Sequence, residues 1–549
     1  MAEFQYPPIN FQTEPSKYVH WQVSYNGPVA TVIMDVQTDC PMWEGRYELK
    51  SGSYDLAVDI ELNDIVQRMR FEHPEIKTVV VQSSQDKVFC AGANIPMLGT
   101  SPHAFKVNFC KYTNETRCSI EDATQNSNQT WIAALNGTAA GGGYELALAC
   151  EKIYLIDDGF AAVSLPEVPL LGVLPGTGGL TRLTDKRKIR RDISDVFCTK
   201  AEGFRARDAK KYNLIDGSFP RSKWEQGIKD VAQNIANGTE NKNGDLSSVS
   251  LPTIISENTI DGEKQSWTYE FVKVEIDGRQ ATLYILGPKA SPERTPNTWS
   301  LKAFRELEDS LLRLRFNNLH VGLLLLKSEG EHANVLEHDS WLQEGAQTDW
   351  FLKEVLLLQS RVLRKLDNMS KSIFALIEEG HCFSGCLFEM TLTGDRSYMF
   401  LDEEEENSFY LNNSNKGLHK MANGLSRLES RFLGTPDSIK EAFEESGNGP
   451  ITAEQAEELG LVTASPDDID YEDEVRIAVE ERLSYSPDAL TGMEQNLRFG
   501  GVESAESKIY GRLSAWQNWI FQRPNAVGEK GALTMYESPE RPQFDYRRT

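Results

Sequence analysis

The strongest constraint on how this chain can fold is that its pattern of elements occurs twice. SYNGPVATVIMD (24–35) alternates apolar and polar residues around an Asn-Gly pair, the signature of a hairpin. EIDGRQATLYIL (275–286) places Asp-Gly at the same point, with the same Ala-Thr two residues beyond. Helical stretches follow, AVDIELNDIVQRMRF (57–71) and LKAFRELEDSLLRLRF (301–316), and both close on Arg-x-Arg-Phe. Apolar strands come next, KTVVVQS (77–83) and VGLLLLKS (321–328). Further along, WIAALNG (131–137) is echoed by SIFALIE (372–378), and ELALACEKIY (145–154) by EMTLTGDRSY (389–398). Strand, helix, strand, strand, helix, strand in each half is an α/β pattern, duplicated once.

At 549 residues there is room for two such units and more. The expected organisation is a domain over 1–233, a linker over 234–268, a second domain over 269–480, and a C-terminal helical and extended arm over 481–549. The linker is expected because its Asn, Gly, Ser and Thr show no sustained period. From about Gln522 the arm is rich in Pro, Gly and charge, and is expected to pack on something. DEEEEN (402–407) is expected to be a solvated acidic loop.

The halves differ at two stretches. The first contains AAGGGYELALAC (139–150) and VFCAGAN (88–94), whereas the second has HCFSGCLF (381–388) and no second Ala-Gly-Ala loop. The second half is therefore expected to keep the fold without the site. In the first half a strand runs through small residues and glycines into a helix. Glycine lets backbone approach a ligand closely. The first helical N–H groups have no internal partner and carry the positive end of the dipole. Such a start suits a ligand oxygen that becomes negative during reaction, with Glu145 beside it. A tight helix–sheet joint with an exposed N-terminal Glu would produce the same residues. VFCAGANIPML (88–98) is a candidate second donor loop or a plain strand-to-helix turn. In SLPEVPLLGVLPGTGGLTRL (164–183), Glu167 lies between Pro166 and Pro169 and is expected on a rigid, non-helical segment. A carboxyl held there among apolar neighbours should have a raised pKa. The later PGTGG lacks the Lys-Ser or Lys-Thr of a nucleotide-triphosphate loop.

Composition removes other classes. The net charge of −25 argues against nucleic acid or anionic membrane as partner. Eight cysteines spread through the chain are too sparse for a disulfide scaffold, and no Cys/His pair at zinc spacing accompanies Cys382 and Cys386, so no metal is expected. MAEFQYPPINF has no signal pattern and the longest aliphatic runs are strand-sized, so a cytoplasmic protein without membrane span is expected.

Taken together and in order, Ala-Gly-Ala, then Gly-Gly-Gly-x-Glu, then Pro-Glu followed by Pro-Gly-x-Gly-Gly closely resemble the crotonase (enoyl-CoA hydratase/isomerase) superfamily. The resemblance is strong over about residues 20–220 and weak over 270–480. It implies a crotonase-like fold of spiral ββα repeats, here duplicated with a degenerate second copy. It also implies an acyl-CoA substrate whose thioester oxygen is gripped by the amides of Ala93 and Gly142. Glu145 and Glu167 fall on the two acid/base positions, and backbone near Ala91 and Ala93 on the adenine pocket. Asn94 stands where many members carry Asp.

The phrases YELKSGSYDLAVDIELND (47–64), VNFCKYTNETR (107–117) and QRPNAVGEKGAL (522–533) resemble a ring-opening branch of that family. This implies 2,3-epoxybenzoyl-CoA as substrate, opened by water with loss of formate. No oxygen or redox cofactor is implied, the coenzyme A being part of the substrate. A plain enoyl-CoA hydratase or isomerase, or a non-catalytic acyl-CoA-binding protein, are the alternatives. Cys110 lies on the segment that often covers the acyl pocket and is either a participant in catalysis or a small buried apolar residue. Lys50 is a candidate for a CoA phosphate. KRKIRR (186–191) reads as a solvated helix face. A homodimer is expected, since two fused units satisfy internally part of what single crotonase units satisfy by trimerising.

Overall fold

Alternation builds the first hairpin. Strand β1 (Trp21–Asn26) pairs antiparallel with β2 (Val29–Met34), and β2 buries Ala30, Val32 and Met34 on one face. In the computed structural model, which describes residues 6–50, 52–262, 264–402 and 407–549, two compact units are distinguished. One comprises Met1–Thr253 with Thr348–Glu354, the other Ile254–Gln347 with Val355–Thr549.

In the first unit, β3 (Ser53–Tyr54) leads into helix α1 (Leu56–Phe71). Asp55 caps that helix by accepting from the Ala57 and Val58 amides. Then follow β4 (Thr78–Ser83), β5 (Val88–Cys90), β6 (Gly92–Ala93), α2 (Ile95–Thr100), α3 (His103–Asn126), β7 (Thr130–Leu135) and β8 (Thr138–Ala140). Helix α4 (Gly142–Ala149), β9 (Lys152–Asp157), β10 (Ala162–Ser164), α5 (Glu167–Leu171), β11 (Phe204–Arg205) and β12 (Gly217–Pro220) complete the elements used below. The main sheet has the order β1-β2-β4-β7-β9-β12, parallel from β2 onward. Its central strands, TVVVQS and TWIAAL, are nearly continuous apolar runs, as burial on both faces requires. A smaller sheet, β11-β10-β8-β5, carries the site: β8 and β10 run parallel in register (Val163 opposite Ala139, Ser164 opposite Ala140). The carboxyl ends of these strands therefore deliver α4 and α5 to the same edge.

The second unit is built on a seven-stranded sheet of β13 (Glu257–Asp261), β14 (Lys264–Thr268), β15 (Val272–Asp277), β16 (Gln280–Leu286), β17 (Leu323–Glu329), β18 (Ser372–Ile377) and β19 (Arg396–Met399). From β15 on it has the hairpin-then-parallel order of the first sheet.

One expectation changes. The stretch 234–268 is not irregular throughout: it starts inside a helix, Trp224–Gly238, and ends in the β13–β14 hairpin, whose turn includes Gly262. Strand β13 is an edge strand exposed at every residue, so no apolar alternation betrays it. The C-terminal segment folds back on its own unit: Arg548 is buried, donating to Glu494 Oε2 at 2.6 Å, Ser372 Oγ at 3.0 Å and the Gly322 carbonyl at 2.9 Å. Finally, residues 403–406 of the acidic run lie outside the described residues. No described helix is long and apolar enough to cross a membrane.

Candidate active site

Each glycine of the triplet has its own physical reason. Gly141, at φ +53°, turns the chain from β8 into α4, and its amide donates to the Ser164 carbonyl at 2.9 Å. A Cβ on Gly143 would lie 2.4 Å from the Cys90 carbonyl oxygen, so this residue lets α4 pack on β5. A Cβ on Gly142 would lie 3.4 Å from the Ala93 nitrogen, and one on Gly92 would lie 2.9 Å from the Gly142 nitrogen. The two backbone nitrogens are thus neighbours on one wall, with no side chain between them. Gly142 is the first residue of α4, so its N–H has no helical acceptor. Ala93 is placed by β6, which pairs with β3 so that Tyr54 is opposite Ala93. Asn94 then caps α2 by accepting from the Met97 amide at 2.9 Å, and donates to the Glu48 carbonyl at 2.9 Å, which ties the preceding loop to the donor strand.

Gly92, Ala93, Gly141 and Gly142 border a cavity of about 430 Å³ that is also lined by Glu145, Glu167, Cys110 and Ala91. Six of the seven residues expected at the site therefore share one cavity. The seventh, Lys50, is exposed on the loop before β3 and does not line it.

The two carboxyl groups meet opposite environments. Glu145 is buried on α4, and its Oε1 accepts from the Thr177 and Gly179 amides at 3.0 and 2.8 Å, while Thr177 Oγ1 donates to Oε2. The Pro-Gly-Thr-Gly-Gly turn is thus a clamp for this carboxylate, and a Cβ on Gly179 would lie 2.9 Å from Oε1. Glu167 is also buried, but its Oε2 has no hydrogen-bond partner among the described residues. Burial, and secondarily the charge of Glu145, pushes its pKa up to about 7. The raised value matches the expectation; the non-helical segment does not, because Glu167 is the first residue of α5 with Pro166 as its cap. Prolines are tolerated in a first turn, whose N–H groups have no acceptor to lose.

Cys110 lies on α3, where burial pushes its thiol up to about 11, so it faces the cavity as a neutral group near pH 7. The same helix brings three side chains that were not singled out. Lys106, Cys110, Thr113 and Arg117 follow one another at intervals of four, three and four residues, and all line the cavity. That is the spacing of one helix face, and it is the signal by which they could have been found. Among the described residues the Lys106 ammonium has no acidic partner. Within KRKIRR, Lys186 donates to Glu121 and to the Ala149 and Cys150 carbonyls, and Arg187 pairs with Asp216 at 3.0 Å, so both are structural.

The matching place in the second unit is differently filled. Gly385 has φ +53°, as Gly141 does, but the Cys386 amide that follows donates to Asp339 Oδ2 at 2.7 Å. Glu389, at the position echoing Glu145, is bound by Arg427 and Asn415, each at 2.9 Å. Among the described residues no cluster of three or more His, Cys, Asp or Glu side chains could hold a metal ion.

The chain is similar to known proteins. The enoyl-CoA hydratase/isomerase family model matches residues 53–249. A benzoyl-CoA-dihydrodiol lyase of Aromatoleum evansii is 49% identical over 550 residues, covering 98% of each chain. Among solved structures, an enoyl-CoA hydratase of Geobacillus kaustophilus HTA426 is 32% identical over 40% of this chain and 76% of its own, with a TM-score of 0.35. One from Bacillus anthracis is 26% identical over 40% of this chain and 77% of its own, at 0.34.

Proposed function

The chain belongs to the enoyl-CoA hydratase/isomerase family, the crotonases, and from that premise we propose that it is a benzoyl-CoA-dihydrodiol lyase, opening the ring of 2,3-epoxybenzoyl-CoA with water. The observation that carries this is the meeting, in one cavity, of two adjacent main-chain donors with two carboxyl groups of opposite environment.

The chemistry needs that set. Conversion of the epoxide to 3,4-dehydroadipyl-CoA semialdehyde and formate balances with two waters and no oxidant. The first opens the three-membered ring; the carbon–carbon bond beneath it then breaks, its electron pair passing through the ring's two double bonds to the carbon α to the thioester, where a proton joins it, and two aldehydes and one carbon–carbon double bond remain. The second adds to the aldehyde attached beside the thioester. When that carbon departs as formate, the electron pair of the broken bond stays on the carbon α to the thioester, and the charge spreads onto the thioester oxygen. Donors at Ala93 and Gly142 lie where this enolate oxygen must be held. Glu167, titrating near neutrality with a free oxygen, gives a proton to the opening epoxide and later to the enolate carbon. A carboxylate has about four acceptor sites. Donors fill three on Glu145, so one remains for an attacking water. Cys110 serves as a neutral neighbour of the ring. Ala91 lines the way toward the adenine, and the CoA phosphates are met by a lysine, Lys106 from within the cavity or Lys50 from the loop beside it.

The second unit is a degenerate copy of the first, its donor amide capped by Asp339. The protein works in the cytoplasm as a homodimer, and a sedimentation mass of one chain would overturn that state. The activity is tested by supplying crotonyl-CoA and 2,3-epoxybenzoyl-CoA separately. Formate from the epoxide supports the proposal; hydration of crotonyl-CoA without formate from the epoxide makes the chain an ordinary hydratase.

A further inference from the structure

Arg117 is a buried cation at the back of the donor wall. It lies on α3, is 2% exposed and borders the cavity. Its Nη2 donates to the Gly142 carbonyl at 2.9 Å, while Nε and Nη1 have no hydrogen-bond partner among the described residues. Its guanidinium carbon stands 5.9 Å from the centre of the Tyr54 ring. Tyr54 is the residue paired with Ala93 across β3 and β6, and its carbonyl accepts from the Asn94 amide at 2.8 Å. One side chain thus touches the supports of both donors, Gly142 through its carbonyl and Ala93 through Tyr54.

Its charge is poorly matched inside the protein. Asp59 lies close by, but its carboxylate is engaged by Tyr54 Oη and by Thr116 Oγ1 at 2.8 Å. Burial opposes its ionisation as well. A buried guanidinium with two idle nitrogens is costly to keep in a fold, and negative charge arriving nearby relieves that cost. The charge that arrives beside Gly142 is the one that develops on the thioester oxygen. We propose that Arg117 is a positioning residue for the acyl-oxygen site: it fixes the two donors relative to each other and supplies a standing positive field toward the enolate. This rests on the assignment of Ala93 and Gly142 as the thioester donors and goes beyond it by naming what aligns and polarises them.

The test uses a push–pull aromatic thioester, 4-(dimethylamino)benzoyl-CoA, whose absorption moves to the red when its carbonyl oxygen is polarised. On the full-length protein the red shift, the Kd of the probe, kcat and KM for the epoxide, and the thermal midpoint are measured for wild type, Arg117→Lys and Arg117→Met. The expected result is a red shift with wild type that is mostly lost in Arg117→Met, together with a kcat lower by on the order of 100-fold while Kd and KM stay within about threefold. Arg117→Lys, which keeps the charge and loses the planar fork, should recover part of both. Wild-type shift and kcat in Arg117→Met would overturn the proposal. So would a variant that loses affinity and thermal stability yet shows the full shift in its bound fraction, because that marks a purely structural role. Should Arg117→Met fail to fold, Arg117→Lys decides alone: a reduced shift and kcat at unchanged Kd supports the proposal, and wild-type values overturn it. A wild type that binds the probe without any shift refutes the thioester assignment itself, and the inference with it.

Discussion

The carboxyl of Glu167 rests against the backbone of Gly141 so closely that a Cβ there would stand 2.6 Å from Oε1. The side chain proposed to carry the proton is therefore held against the residue just before Gly142, whose amide is one of the two proposed donors. At φ +53° and with that contact, position 141 has two independent reasons to be glycine.

The pKa of Glu167 makes stability and activity oppose each other. Below about pH 4.5 the carboxyl is protonated in both the folded and the unfolded chain. Between there and about 7 the unfolded chain releases the proton and the fold retains it, so its contribution to stability declines as pH rises through this window. A displacement from 4.5 to about 7, at ~1.4 kcal/mol per pH unit, corresponds to roughly 3 kcal/mol of burial cost above pH 7. Glu167→Gln should gain up to that amount over wild type in urea unfolding at pH 8.5 and next to nothing at pH 4. An equal difference at both pH values would show that the carboxyl is not buried with a raised pKa. In wild type, kcat/KM should show a limb near pH 7 that the variant lacks.

Thr177 gives Glu145 two of its three donors. Thr177→Val keeps the amide and removes the hydroxyl. It should cost about 1–3 kcal/mol, since a buried carboxylate loses a partner, and lower kcat by roughly tenfold with little change in KM. Denaturant unfolding and steady-state kinetics read the two effects. Unaltered kcat would mean that the clamp does not orient Glu145 for chemistry.

The Lys106 ammonium, at the cavity and without an acidic partner among the described residues, leads to a substrate-dependent effect. Lys106→Ala should raise KM for CoA thioesters by roughly tenfold and leave the corresponding pantetheine thioesters, which lack the nucleotide phosphates, unchanged. Lys50→Ala, on the exposed loop, should change either one less. The reverse ranking would move phosphate recognition from α3 to that loop.

Asp339 already holds the Cys386 amide in the second unit. Calorimetric titration with benzoyl-CoA should therefore give one bound ligand per chain. Two sites per chain would contradict the proposal that the second copy is degenerate.

Sequence alone made much of this site legible because the determinants are local. Three glycines entering a helix, a glutamate three residues after Gly142 and a Pro-Glu step each constrain backbone over a few residues, and each of these motifs brings residues to the cavity. The repeated Asn-Gly and Asp-Gly hairpins were legible for the same reason. What escaped depends on which way α3 faces. Lys106 and Arg117 look like any charged residues on a long helix until packing turns their side of it toward the cavity. The β13–β14 hairpin escaped because an exposed edge strand bears no alternation, and the first turn of α5 because two prolines read as a stop.

The most direct test of the central claim is formate release from 2,3-epoxybenzoyl-CoA by wild type, Glu145→Gln and Glu167→Gln, with substrate binding measured alongside. Wild type is predicted to release one formate per thioester consumed. Both variants should bind the substrate with similar affinity and release formate slower by about 100- to 10,000-fold. Formate at the wild-type rate from either variant would contradict the claim that these two carboxyl groups, set beside the Ala93 and Gly142 amides, open the ring.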